Sequence, residues 1–242
     1  MGDAFGSLKP NVYSAQWFAT FLERLPAEYT DLDISAIQSR LPRGDFSRIL
    51  DLCCGPGRHA ARLADLGYRV TGVDRDRDAI SLAQQRAPTA AFHFMDMRAI
   101  SQLGEQFDGV LLLWQSFGYF STTQNDELLR DIWGRLRPGG RFLLDVFHAD
   151  YVRRHQGSRS SLPTGVSSLE DRVVGDRLRS RISYDDGMEE TMDFEIFTPK
   201  ELAERAGSAG FRLIESCCWW DQQRPPDAGE SRFQLTLERA AK

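Results

Sequence analysis

The segment Ile49-Leu50-Asp51-Leu52-Cys53-Cys54-Gly55-Pro56-Gly57-Arg58-His59 constrains this chain more than any other. It reads as the end of an apolar strand, a carboxylate, a tight glycine turn and the opening of a helix. Tyr68-Arg69-Val70-Thr71-Gly72-Val73 reads as a second strand and ends in Asp74. A strand–turn–helix–strand unit of this kind begins an open α/β sheet, whose ligands bind beyond the carboxyl ends of the strands. Glycines at 55 and 57 let the backbone approach a ligand with no Cβ in the way. Asp74 stands where an acid accepts hydrogen bonds from both hydroxyls of a ribose. The helix that opens at 57 aims its first amide groups at the same place. The unit therefore suits a nucleoside-containing cofactor.

Two cofactor classes meet that description. Gly55-Pro56-Gly57-Arg58-His59-Ala60 fits the G-x-G-x-x-G/A pattern, and Asp74 follows at about the spacing of the dinucleotide enzymes. Asp51 favours S-adenosylmethionine instead. A carboxylate before the turn can orient an ammonium, and it would stand unfavourably close to a pyrophosphate. A third strand, Ala91-Phe92-His93-Phe94-Met95, closes with Asp96-Met97, an acceptor for an adenine amino group and an apolar contact for its ring. A fourth, Phe107 to Leu113, runs into Trp114-Gln115-Ser116-Phe117-Gly118-Tyr119-Phe120. A fifth, Arg141 to Val146, follows the turn Arg137-Pro138-Gly139-Gly140.

With these segments in view, the chain resembles the class I S-adenosylmethionine-dependent methyltransferases of small molecules. The likeness rests on DLCCGPGRHA, GVDRD, FMDMR, SFGYF and LRPGGRFLLDV, in the family's order over roughly 48 to 147. It implies an α/β fold: a Rossmann-like, seven-stranded, doubly wound sheet with a small antiparallel β insert after strand five. It implies donor contacts from Tyr13, Trp17, Asp51, Cys53, Gly55, Gly57, Asp74, Arg75, Asp96, Met97 and Trp114. Cys53 stands where the family usually has the first glycine of the turn. Cysteine is small, so the turn should survive with a backbone that a non-glycine residue accepts.

The remaining sequence is divided as an N-terminal helical lid (1–46), the donor-binding core (47–149), a substrate cap (150–198) and the end of the core (199–242). Residues 1 to 10 read as a loose end. Tyr13, Trp17, Phe18 and Phe21 recur at helical spacing and predict a helix over 11–25, with a second over about 31–41. Core helices are expected at about 57–66, 76–87 and 123–137, the last capped by Thr122 and Thr123 with Asp126 and Glu127 in its first turn. Residues 150 to 165 read as a polar loop. Alternation then predicts strands at 168–174, 177–184 and 188–197, the last two joined by the turn Asp185-Asp186-Gly187. A dimer surface is the rival reading of this insert. Thr198-Pro199-Lys200-Glu201 opens a helix that Gly210 ends, and two last strands follow.

The chain has 242 residues and a formal charge of −5, so bulk charge gives no reason to expect nucleic acid. The arginines at 153, 154, 159, 172, 177, 179 and 181 argue mildly for an anionic partner, although such runs are usually solvated faces. No apolar run is long enough to span a membrane, and the N-terminus lacks the pattern of a signal peptide. The adjacent pairs Cys53-Cys54 and Cys217-Cys218 lack zinc-ligand spacing. Four reduced thiols in a cytoplasmic protein without a metal are expected.

Methyl transfer from a sulfonium needs alignment and exclusion of water more than it needs acid or base. Tyr119 and His148 are the candidate catalytic groups, His148 because it follows strand five at the ligand end of the sheet. Gln115, Phe117, Tyr119, His148 and Trp220 are the candidate acceptor contacts. His59 is read as structural or as touching the donor. Segment 114–120 is not the N/D-P-P-Y/F signature of enzymes that methylate amino groups of DNA bases. The expected function is methyl transfer to a nitrogen or oxygen of a small molecule. Nitrogen is favoured by the absence of a dedicated base and by Glu189, Glu190 and Glu195 in the insert. An NAD-dependent oxidoreductase, a donor-binding module without turnover and an RNA methyltransferase are the alternatives.

Overall fold

The structure, a computed structural model, describes residues 11–159 and 161–240. The expected loose end at 1–10 lies outside them. Seven strands form one sheet: β1 (Arg48–Leu52), β2 (Arg69–Asp74), β3 (Ala91–Phe94), β4 (Phe107–Leu112), β5 (Leu136–Phe147), β10 (Phe211–Cys217) and β11 (Arg232–Arg239). Their order is β10-β11-β5-β4-β1-β2-β3. Strands β1 to β5 are mutually parallel, and β11 is antiparallel to both of its neighbours, β5 and β10. Every residue of β4 is buried, as expected of a central strand covered on both faces. The direction of winding reverses between β1 and β4, and that switch point opens a crevice at the strands' C-terminal ends.

The helices that cover the sheet are α2 (Ala27–Arg40), α3 (Arg58–Asp65), α4 (Arg77–Arg86), α5 (Thr122–Arg135) and α7 (Pro199–Ser208). Helix α7 begins with the expected capping box, Thr198 with Glu201, and with a proline in its first turn. Helix α5 begins one residue earlier than expected. Ser121 is its cap, paired with Gln124, and neither Asp126 nor Glu127 lies in its first turn.

Two elements differ from the sequence reading more substantially. The N-terminal segment is not a continuous helix over 11–25. It is a short α1 (Ala15–Trp17) that runs into one π turn (Phe18–Leu22), and α2 starts at Ala27 rather than near 31. Segment 150–165 is not all loop. Its start forms α6 (Ala149–Arg154), capped by the His148 side chain, and Gly157–Ser158 form a short strand, β6.

The insert is a separate antiparallel sheet in the order β6-β7-β8-β9, with β7 at Val166–Val174, β8 at Arg177–Tyr184 and β9 at Glu189–Glu195. Four of its arginines are paired with acids of the insert. Arg159 pairs with Asp171, Arg177 and Arg179 with Asp193, and Arg181 with Glu189. Much of the basic run is therefore a ladder of ion pairs.

Candidate active site

A cavity of about 690 Å³ lies at the switch point. Among the residues expected there, Tyr13, Trp17, Asp51, Cys53, Gly55, Asp74, Arg75, Asp96, Met97, Trp114 and Tyr119 line it. The turn after β1 is strained in the way a ligand cradle requires. Gly55 has φ +52°, and a Cβ there would lie 3.7 Å from Phe18 of the N-terminal segment. Cys53 also has a left-handed backbone, φ +55°. The expectation of an ordinary non-glycine conformation at 53 is thus corrected. Such a conformation costs a non-glycine residue about 1–2 kcal/mol, and strain of this kind gathers at functional sites.

Asp51 is 2% exposed. Its Oδ2 is buried and has no hydrogen-bond partner among the described residues. Burial raises its pKa to about 6, against the opposing charges of His59 and Arg58. Asp74 holds the turn in place: Oδ2 accepts the Gly55 amide at 2.9 Å and Oδ1 the Asp76 amide at 2.9 Å. Burial raises its pKa too. Asp96 is held below the usual carboxylate range by Arg98, which it pairs through both oxygens. Met97 is buried beside it, 3.6 Å from the Cys53 sulfur.

The roof is aromatic. Tyr13 and Trp17 lie with ring centroids 4.4 Å apart, and the Tyr13 hydroxyl donates to the Tyr119 hydroxyl at 2.9 Å. Burial pushes both phenols up, so neither serves as a base near neutral pH. The roof is tied to the insert. The Asn11 amide donates to Thr191 O at 2.8 Å, and the Ser14 amide donates to Glu190 Oε1 at 2.9 Å.

The structure keeps five predicted residues away from this cavity. Gly57 (φ +79°) faces helix α4, where an added Cβ would come within 2.9 Å of the Ala83 Cβ. Its lack of a side chain serves helix packing. Gln115 turns back to hold β5, accepting from the Phe147 amide and donating to Phe117 O. Phe117 is fully buried against Phe197. Trp220 is buried, with its indole N–H on Asp33. His148 caps α6 by accepting the Asp150 amide, and burial lowers its pKa. It lines a separate, open depression with Thr198 and Lys200.

The glutamates of the insert are also committed elsewhere. Glu189 pairs with Arg181. Glu190 holds Ser14 and Tyr184. Glu195 holds Thr122, Asn125 and Arg205. They lend no support to an amine-attracting role.

Sequence reasoning missed Phe18, Thr30 and Arg58 in the cavity wall, and Asp33 behind it. Arg58 could have been noticed as the first helical residue after the glycine turn. Asp33 left no local signal, because its partners are at least 25 residues away.

Comparison with known proteins agrees with this geometry. Residues 49–140 match a family model described as a methyltransferase domain. A malonyl-[acyl-carrier protein] O-methyltransferase of Enterobacter lignolyticus (strain SCF1) is 29% identical over 155 residues, 63% of this chain and 57% of that protein. A dTDP-3-amino-3,4,6-trideoxy-alpha-D-glucopyranose N,N-dimethyltransferase of Streptomyces venezuelae is 31% identical over 140 residues, 53% of this chain and 57% of that protein. This chain spans about half the length of the curated relatives it matches. Among solved structures, an S-adenosylmethionine-dependent methyltransferase from Clostridium acetobutylicum ATCC 824 superposes with a TM-score of 0.78 at 15% identity, over 93% of this chain and 97% of that one. Residues 49–140 are thus similar to a methyltransferase domain, and the fold is the one that S-adenosylmethionine-dependent methyltransferase shows. Nothing among these likenesses supports the nicotinamide or RNA alternatives.

Proposed function

We propose that this protein transfers the methyl group of S-adenosylmethionine to a nitrogen or oxygen of a small molecule held under its N-terminal aromatic roof. The observation that carries the reading is Asp51: a carboxylate buried with an unpartnered oxygen at the floor of the cleft. Such a group calls for a cationic ligand, and the donor's α-ammonium is one. Asp74 would take the ribose hydroxyls, and Asp96 with Met97 the adenine. The donor supplies a methyl carbon on a sulfonium, already a good leaving group. The protein's part is to align the acceptor, to exclude water with the roof and to leave the acceptor's lone pair free.

The phenols over the cleft are poor bases, which favours an amine that arrives neutral over a hydroxyl that must be deprotonated. Relatives named as amino-sugar N,N-dimethyltransferases support the same preference. The division into lid, core, cap and core end belongs to this proposal. So does a cytoplasmic location, which four free cysteines support. No helix among the described residues is long and apolar enough to cross a membrane.

Titration calorimetry with S-adenosylhomocysteine and with NAD tests the reading. Saturable binding of the first alone is expected. Binding of NAD alone, or of neither, overturns it.

A further inference from the structure

Two residues that line the cleft carry a buried polar atom with no hydrogen-bond partner among the described residues: Asp51 Oδ2 at the floor and Trp17 Nε1 in the roof. The floor lacks a cation, and the roof lacks an acceptor. An indole N–H can only donate, and leaving one buried and unmet is costly. Bound as proposed above, the donor meets Asp51, Asp74 and Asp96 with its ammonium, ribose and adenine. The Trp17 N–H is then left for the acceptor.

The polar groups near Trp17 are of the same kind. Its ring centroid lies 4.4 Å from that of Tyr13, whose hydroxyl donates to the Tyr119 hydroxyl at 2.9 Å. In such a pair the proton still to be given is that of Tyr119, which has no other hydrogen bond among the described residues. Arg75, exposed at the rim of the cleft, adds a cation. It donates to Asn11 O, just ahead of Tyr13 in the chain, and forms no ion pair among the described residues. Its charge opposes the rise in the pKa of both phenols. The acids that reach the roof are already engaged, Glu190 with Ser14 and Tyr184, and Glu23 with Arg86. Phe18 and Phe120 extend the aromatic wall.

We propose that the acceptor carries a carboxylate on a flat, apolar frame, with its oxygens at the Trp17 indole N–H and the Tyr119 hydroxyl and its charge facing Arg75. This rests on the donor reading above and deepens it by naming the class of acceptor. One cation balances one negative charge, whereas a phosphate dianion would face Asp74 and Asp96 across the same cleft with charge unmet. A carboxylate fixed in this way turns the rest of the acceptor toward the methyl carbon, and alignment is then achieved without a base.

NMR titration of the purified full chain, saturated with S-adenosylhomocysteine, tests the assignment with benzoate and with benzamide, its neutral counterpart of the same shape. Benzoate should bind at least about 10-fold more tightly, as for a hydrogen bond to a charged group. Arg75→Gln should erase that preference and leave benzamide within about 3-fold of the parent, because the neutral probe brings no charge for Arg75 to meet. Trp17→Phe keeps a ring and removes the N–H, so it should weaken both probes by about 2- to 10-fold. Equal affinities in the unsubstituted chain, a preference that survives Arg75→Gln, or affinities unmoved by Trp17→Phe overturn the proposal. Loss of both probes in Arg75→Gln assigns Arg75 to holding the roof through Asn11 and overturns it as well. A chain that holds S-adenosylhomocysteine and binds neither probe overturns this proposal alone. A chain that does not hold S-adenosylhomocysteine overturns the donor reading, and this proposal with it.

Discussion

At the scale of single residues, the floor of the cleft exchanges stability for binding. Asp51 has an ordinary value of 3.8 and is raised to about 6 in the folded chain. Between those values the folded chain keeps a proton that the unfolded chain has lost. The stability present at low pH is therefore lost as pH rises from about 4 through about 6. Asp51→Asn removes this penalty. The variant should be more stable at pH 7 by on the order of 1–3 kcal/mol and should bind S-adenosylhomocysteine at least about 10-fold more weakly. Thermal unfolding and calorimetry read the two effects, and a variant both weaker in binding and less stable contradicts the account. In the unsubstituted chain, donor affinity should fall as pH drops through about 6, where protonation removes the charge that the proposed function sets against the ammonium. Gly57 supports packing instead. Gly57→Val places a Cβ within 2.9 Å of Ala83 at φ +79°, so it should destabilise the α3–α4 contact by about 1–3 kcal/mol. Its melting temperature should fall, and donor affinity should weaken only as far as the turn is distorted.

At the scale of elements, the N-terminal segment behaves as an extra piece of the insert. Asn11 makes three hydrogen bonds with β9, to the backbone of Thr191 and Asp193. Glu190 adds a buried carboxylate that holds both the Ser14 amide and the Tyr184 hydroxyl. Glu190→Ala should release the roof while leaving the core sheet intact. Hydrogen exchange should rise over residues 14–22, and S-adenosylhomocysteine should dissociate about 10-fold faster, as for one lost charged hydrogen bond. Unchanged exchange there would mean that the aromatic contacts alone hold the roof. The same contrast explains what was legible in the sequence. The unit from β1 to β2 could be read because its turn, acids and apolar runs are contiguous. The insert could be read from strict alternation and from Asp185-Asp186-Gly187. Helix α6 could not, because it is six polar-rich residues held by a cap from His148. The roof was read as one helix because its aromatics are spaced helically. Trp17 and Phe21 pack toward the insert while Phe18 reaches over Gly55, and a π turn reconciles the two directions.

At the scale of the whole molecule, core and insert are joined behind Tyr119 by a buried polar knot. Glu195 of β9 accepts from Asn125 at 2.7 Å and Thr122 at 3.1 Å on α5, and from Arg205 on α7 at 2.7 Å. Arg205 also pairs with Asp126 at 2.7 Å. The backbone runs close at the same place: the Glu195 amide donates to Gly118 O at 2.8 Å, and a Cβ on Gly118 would meet Glu195 O at 2.5 Å. The segment from 114 to 120 is thus threaded between core and insert, and Trp114 and Gln115 in it have positive φ. No sequence pattern announces these conformations; Trp114 and Tyr119 line the cavity, and Gln115 and Phe117 do not. The knot also predicts how the molecule comes apart. Glu195→Ala takes one acceptor from the buried Asn125 and one from the half-buried Arg205, which keeps Asp126, so it should cost about 1–3 kcal/mol. The loss should fall on the joint rather than on the sheets. Unfolding in denaturant should then separate into two steps, the insert and roof first and the core sheet second, where the unsubstituted chain is expected to unfold in one. Tyr13 and Tyr119 meet across that joint, so acceptor turnover should fail at the first step while the core still binds the donor's nucleoside. A single transition with a lowered midpoint would show instead that the apolar contacts between the two sheets suffice to couple them.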